Sequence, residues 1–334
     1  MHQPRIVIPL GDPAGIGPEI VAKALTDPRI QSSVRCLLVG SRLIFEQAIN
    51  LTGADYTLPP FDPVLWASGA QHWAFYDLAD VDMQAFHPGE VSALCGQAAY
   101  HAISTAIDLA MNHAADAVAT PPIHKEALRA AGVPYIGHTE IFGALTGTPD
   151  PLTMFEVDGL RVFFLSRHVS LQKACQMVKK ERIKSYVRRI HQVLCTFGEK
   201  DGLIAIAALN PHCGEHGLFG QEEMEEILPA VSALQKEGLP VTGPISADAV
   251  FHQAKTGRYA AVLSLYHDQG HIATKTLDFY RTISVTCGMP ILRTSVDHGT
   301  AMDIAWKNCA SPVSMIEAIL LAAKYGPSFE GRII

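Results

Sequence analysis

Short apolar runs recur along the chain with longer, helix-like stretches between them. The runs are "RIVIPL", "VRCLLVG", "AVATPP", "RVFFLS", "LIAIAAL", "AAVLSLY" and "TISVTCG". The longer stretches include "GQAAYHAISTAIDLAMNHAA", "ERIKSYVRRIHQVLCTF", "QEEMEEILPAVSALQKEG" and "VSMIEAILLAAKYG". Strands alternating with helices lead to an α/β fold with a largely parallel sheet. Several runs are apolar throughout, as strands are when both sheet faces are covered. The stretch 55–90 is richer in proline and aromatics and reads as irregular or antiparallel. No internal repeat or low-complexity linker marks a domain border.

The chain has 334 residues, 48% hydrophobic and 18% charged, which suits a compact core and not a disordered chain. Its net charge of −7, with no basic run, argues against nucleic acid as a partner. The opening apolar run breaks at Gly11, too early for a secretory signal, and no run reaches the roughly 18 apolar residues of a membrane span. Seven scattered cysteines without a C-x-x-C pair imply reduced thiols in a cytoplasm. Cys95, Cys213 and Cys287 read as small packing residues.

Four of the fifteen histidines directly follow strand-like runs: His168, His212, His267 and His298. Open α/β sheets bind ligands at the carboxyl ends of their strands. Imidazoles gathered there would suit a divalent metal. A single histidine so placed is more often a hydrogen-bonded turn residue, and no H-E-x-x-H spacing is present. His216, His252 and His271 read as solvated or supporting. Other polar groups collect at the same positions: His138 and Thr139 in "GHTEIF", Asp248 in a turn-to-helix setting, Lys275 eight residues beyond His267, and Arg293 before Asp297 and His298. Arginine and lysine at strand ends can take a phosphate or carboxylate. Lys125 stands at an expected helix start, where backbone N–H groups favour anions.

The segment "GDPAGIGPEI" sits where a dinucleotide fold places its phosphate loop. Its glycines fall at 11, 15 and 17, however, so it lacks the G-x-G-x-x-G spacing, and no Lys-Ser or Lys-Thr follows. By its residues it is a tight strand-to-helix turn, with Pro18 at the first helical position and Gly17 as cap.

That segment, together with "GHTEIFGALTG", "LNPHCGEHGLFGQEE", "GPISADAVF", "YHDQGHIATK" and "LRTSVDHGTA" in this order, resembles the 4-hydroxythreonine-4-phosphate dehydrogenase family over nearly the whole chain. More distantly, the opening is similar to isopropylmalate and isocitrate dehydrogenases, whose late adenosine loop "DHGTAMDIAW" also resembles. The resemblance implies two α/β domains with an active-site cleft between them. An NAD-binding domain would comprise residues 1–135 plus 290–334, and a substrate, metal and dimerisation domain residues 136–289. It implies NAD or NADP held by Gly11, Asp12, Gly15, His298, Gly299, Thr300 and Asp303. One divalent ion (Zn, Mg, Mn or Co) would be held by His168, His212 and His267. His138, Thr139, Lys275, Ser284 and Arg293 would contact a small phosphorylated hydroxy acid, with Lys275 and Asp248 as candidate acid or base. A homodimer is implied, its site completed by both subunits.

One position departs from the family. Ser284 stands where an asparagine usually contacts substrate, and a hydroxyl cannot reach or bond as an amide does. The implied reaction is oxidation of the C3 hydroxyl of 4-phosphooxy-L-threonine, then decarboxylation to 3-amino-2-oxopropyl phosphate, a step of vitamin B6 synthesis. The alternatives are the same chemistry on D-erythronate or D-threonate 4-phosphate and, on a weaker likeness, a cis-dihydrodiol dehydrogenase. Outside this class stand an acyl-transfer protein of related architecture and a noncatalytic metal-binding regulator.

Overall fold

The structure is a computed structural model that describes residues 3–329. Its strands are β1 (Arg5–Pro9), β2 (Arg35–Gly40), β3 (Trp73–Asp77), β4 (Ala117–Thr120), β5 (Leu152–Val157), β6 (Leu160–Phe164), β7 (Ile204–Ala207), β8 (Val241–Ile245), β9 (Ala261–Ser264), β10 (Ile283–Cys287) and β11 (Leu292–Ser295). The chain forms two compact units, one from Met1–Pro151 with Met289–Ile334, the other Leu152–Gly288.

In the first unit the strands run parallel in the order β3-β2-β1-β4-β11. Val7, Leu37, Val39 and Val118 pack with Ala102, Ile103, Ala106 and Ile107 of the helix Ala93–Met111. Successive strand residues point to opposite faces. Ile6 and Ile8 are also wholly buried, so both faces are covered, as the unbroken apolar runs require. The helix Val313–Tyr325 packs on β4 and β11 with Met315, Ala318, Ile319 and Ala322 buried. In the second unit the order is β10-β5-β6-β9-β7-β8. Here β10, β5 and β6 pair antiparallel, while β6, β9, β7 and β8 pair parallel.

The fold class is α/β, as expected, with several local corrections. The stretch 55–90 contributes β3, parallel to β2, and the helix Pro63–Ser68, whose Asp62 side chain accepts from Val64 and Leu65 N–H. β5 was not foreseen. It turns into β6 through Asp158 and Gly159, both at positive φ, and such an Asp-Gly pair is a readable hairpin signal. The border between units falls at Pro151, not at 135. The helix His138–Leu145 belongs to the first unit because Ile141 and Phe142 are wholly buried in its core. The opening helix is Gly17–Ala24 with Ile16 as cap, so Gly17 lies inside it. Among the described residues no helix is long and apolar enough to cross a membrane.

Gly96 shows how closely the helices approach. A Cβ there would lie 2.0 Å from the carbonyl oxygen of Ala127 on the helix Lys125–Ala130. Helix propensity alone favours Gly→Ala by about 1 kcal/mol, whereas overpacking costs about 1–3 kcal/mol or more. The contact is with backbone, which cannot give way cheaply. Gly96→Ala is therefore expected to lower the melting temperature; an increase would mean that the helices separate freely.

Candidate active site

In the first unit the two loops expected to hold a nucleotide are bonded to each other. Gly11, at φ +73°, leaves β1 where a Cβ would lie 2.6 Å from the Pro122 oxygen. Asp12 N–H donates to that oxygen at 3.2 Å, and Ile16 N–H donates to Thr300 O at 3.0 Å. Gly15 faces Thr300, whose Cβ would be 2.8 Å from an added Cβ. The Trp306 indole donates to Pro13 O at 3.0 Å, so it packs the late loop onto the opening one. The buried Glu19 carboxylate accepts from Asn308 N–H (3.3 Å), Ala310 N–H (2.8 Å) and Lys23 Nζ (2.8 Å). Sequence reading missed Glu19, although an acid in the first turn of "GPEI" was visible.

This turn carries a strained charge. Asp12 is fully buried; one oxygen accepts from Ala14 N–H at 2.9 Å, while Oδ2 has no hydrogen-bond partner. Burial raises its pKa to about 6, with Ala14 N–H and His124 opposing. The other expected cofactor residues lie outward: His298 is half-buried with Nδ1 3.0 Å from Gly299 O, Asp303 is exposed, and Gly299 is exposed with open space where a Cβ would stand. A backbone left open in this way fits close approach by a dinucleotide.

The same unit holds three of the expected substrate residues. His138 and Thr139 begin the helix His138–Leu145 after the cap Gly137, and both are half-buried. His138 Nε2 is buried without a partner. Burial, then the nearby Arg293, holds its pKa well below the usual histidine range, so the ring is neutral. Arg293 on β11 is 4% exposed; its Nε donates to Thr120 Oγ1 at 3.0 Å and its guanidinium lies 5.3 Å over the Phe142 ring. Burial pushes its pKa down to about 9, with Glu140 opposing. A buried guanidinium beside an unsatisfied imidazole is a setting that an anion relieves. Lys125 is the first residue of its helix, capped by His124, as expected.

In the second unit the carboxyl ends of four adjacent strands each deliver one expected residue. His168 follows β6, His267 follows β9, His212 follows β7 and Asp248 follows β8. The His168 and His267 rings are 5.8 Å apart. His267 Nδ1 is 2.6 Å from Asp268 Oδ1, which leaves Nε2 for a ligand. His212 lies in a left-handed turn, φ +51° and ψ +33°, that continues through His216. The buried Glu223 holds that turn, accepting from Leu209 and Asn210 N–H (2.8 and 2.7 Å) and Asn210 Nδ2 (2.9 Å). Gln269 ties the ends of β9 and β7 together, accepting from Leu265 N–H and donating to Ala208 O, each at 2.7 Å. Asp248 is exposed and accepts from Ser246 Oγ at 2.6 Å; that hydrogen bond, with His212 nearby, lowers its pKa and keeps it ionised.

Among the described residues no group of three or more His, Cys, Asp or Glu side chains stands close enough to hold a metal ion. The pair His168 and His267 fits such an ion by donor type, but the expected trio with His212 is not brought together among the described residues. Lys275 lies half-buried, with Nζ 5.2 Å over the Phe279 ring. Ser284 is half-buried on β10 opposite Phe155. Cys95 and Cys287 are buried and Cys213 is half-buried, its Sγ 3.6 Å from Pro244 O.

The family model described as pyridoxal phosphate biosynthetic protein PdxA matches residues 32–322. A protein of Clostridium botulinum named "Putative D-threonate 4-phosphate dehydrogenase" is 53% identical over 332 residues, 98% of this chain and 99% of that one. The solved 4-hydroxythreonine-4-phosphate dehydrogenase of Klebsiella pneumoniae superposes with a TM-score of 0.89 at 37% identity, over 97% of this chain and 98% of that one. A terephthalate 1,2-cis-dihydrodiol dehydrogenase of Burkholderia xenovorans superposes with 0.69 at 27% identity, over 97% and 98%.

The Asp12 carboxyl gives a signed pH prediction. Its folded pKa, about 6, exceeds the ordinary 3.8, so the folded state keeps a proton that the unfolded state loses. The native state is therefore favoured below pH 3.8 and loses that advantage as pH rises to about 6, by about 3 kcal/mol at roughly 1.4 per unit. Asp12→Asn keeps the acceptor for Ala14 N–H and abolishes the titration. Its melting temperature relative to wild type should rise between pH 4 and pH 8. A constant difference across that range would show that Asp12 titrates normally.

Proposed function

The chain belongs to the PdxA family of dehydrogenases, and on that premise we propose that it oxidises D-threonate 4-phosphate at C3 and decarboxylates the product. The observation that carries this reading is the 53% identity, over 98% of this chain, with the relative named "Putative D-threonate 4-phosphate dehydrogenase". Ser284, in place of the family's usual asparagine, agrees with a substrate other than 4-phosphooxy-L-threonine. That compound is the second reading, favoured by the family model's description and the Klebsiella likeness.

NAD or NADP, when bound, would supply the hydride acceptor, and His168, His267 and His212 would hold a divalent ion that would supply a Lewis acid. The C3 hydroxyl would lose its proton to the protein, while a dinucleotide held by the turn at Gly11, Asp12 and Gly15 and by the loop of His298, Gly299, Thr300 and Asp303 would supply the acceptor for the C3 hydride. The resulting β-keto acid releases C1 as carbon dioxide. The bonding pair passes to C2, which then takes up a proton. The product is the three-carbon dihydroxyacetone phosphate.

The residues divide the remaining work. Arg293, buried against Thr120 and Phe142, offers a fixed two-pronged donor for the phosphate, and His138 and Thr139 add to it at a helix start. His138, held neutral, binds without adding charge. Asp248 is ionised and suits proton acceptance from the C3 hydroxyl; Lys275 suits proton delivery to C2. The turn at Gly11, Asp12 and Gly15 and the loop of His298, Gly299, Thr300 and Asp303 hold the dinucleotide. The active protein is a homodimer whose partner subunit helps to complete the metal site.

The test is reduction of NAD or NADP by metal-loaded protein offered D-threonate 4-phosphate, D-erythronate 4-phosphate and 4-phosphooxy-L-threonine in parallel, with and without chelator. Chelator-sensitive turnover of D-threonate 4-phosphate above the others is expected. Preference for 4-phosphooxy-L-threonine would reverse the order of the two readings, and reduction with none of them would refute the proposal. Ser284→Asn should raise the relative kcat/KM for 4-phosphooxy-L-threonine roughly tenfold, the worth of one hydrogen bond of about 1–1.5 kcal/mol.

A further inference from the structure

The helix His267–Leu277 presents His267, His271 and Lys275 four residues apart, on one face. Sequence reading set His271 aside, yet its ring lies 3.9 Å from that of His267 at 19°, a parallel stack. Its other sides meet Phe155 at 4.4 Å and Phe164 at 4.8 Å, and these two rings pack edge to face at 5.4 Å. Both phenylalanines are buried in the core of the second unit. Gly270 seats the helix on this wall: a Cβ there would lie 2.6 Å from Phe164 Cε1 and 2.8 Å from Ser264 Oγ. His271 is thus a plate anchored in the core, with one face turned to His267.

His267 itself is half-exposed at a strand end, where an imidazole turns readily. Asp268, 2.6 Å from its Nδ1, is exposed and can swing with it. The stack joins the His267 ring to something rigid. We propose that His271 is a positioning residue: it fixes the ring plane of His267 by stacking, so that Nε2 is aimed at a divalent ion before the ion arrives. This rests on the reading of His267 as a metal ligand. Supporting contacts of metal-bound histidines typically change affinity by about 10–100-fold when removed.

The probe is zinc alone, titrated into the full-length protein in competition with a chromophoric chelator, with the fold checked by melting. His271→Ala should weaken zinc binding about 10–100-fold. His271→Phe keeps a flat ring without nitrogen and should stay within about threefold of wild type, since stacking and not ligation is at stake. Should the alanine variant not fold, His271→Leu, which fills the slot without a flat ring, takes its place with the same expectation. Unchanged affinity in the alanine or leucine variant would reduce His271 to core packing and overturn the proposal. Equal losses in the alanine and phenylalanine variants would overturn it too, because the imidazole nitrogen would then be what matters. Wild-type protein that binds no zinc would instead remove the metal reading on which the proposal stands.

Discussion

Parallel strand pairing is the constraint on which the rest depends. Strands that run the same way end at the same edge, so the residues just beyond them are collected there whatever their distance in sequence. In the second unit β6, β9, β7 and β8 lie side by side, and His168, His267, His212 and Asp248 emerge from their ends. In the first unit β1, β4 and β11 do the same for Asp12, His124 and the late loop. Because both faces of β4, β6, β7, β9 and β11 are buried, a one-residue slip would move an entire hydrophobic set, and the register is firmly held.

Collecting residues does not by itself fix them. The loops are held by buried polar groups whose bonding is satisfied locally. Glu19 accepts three hydrogen bonds and locks residues 308–310 onto the opening helix. Glu223 does the same for the turn bearing His212, where a run of residues adopts left-handed backbone that L-amino acids resist. A buried carboxylate costs much desolvation, and several N–H donors offset that cost only in one arrangement. Asp12 differs: its second oxygen lacks such a partner, and burial raises its pKa. A polar atom left unsatisfied at a strand end marks a place made for something else.

The sequence was legible where the local signal and the tertiary outcome agree. β1, β2, β4, β6, β7, β9 and β10 were readable because a fully covered strand is a continuous apolar run. β3 was missed because "WAFYD" ends exposed and sits amid prolines, although its early residues are buried on β2. β5 was missed because "LTMFEV" carries a glutamate, Glu156, only 5% exposed and paired with Arg161 across the hairpin, a partner that periodicity cannot reveal. At the site, the strand-end histidines were visible as a pattern. Glu19, Glu223 and Gln269 were not, since their role is to bond backbone far away in sequence, and His271 looked like any helical histidine.

The sequence by itself determined the α/β class, the positions of His168, His212 and His267 beyond strand-like runs, and the family resemblance of the ordered motifs. These are local or order-dependent properties, carried by hydrophobic runs and by short motifs. Tertiary structure alone decided which hydrogen bonds join the opening and late loops, that His138 belongs with Arg293 in the first unit, and that His271 lies flat on His267. Each of these joins groups through packing or a buried hydrogen bond, and such contacts are chosen by the whole core and not by any neighbour along the chain.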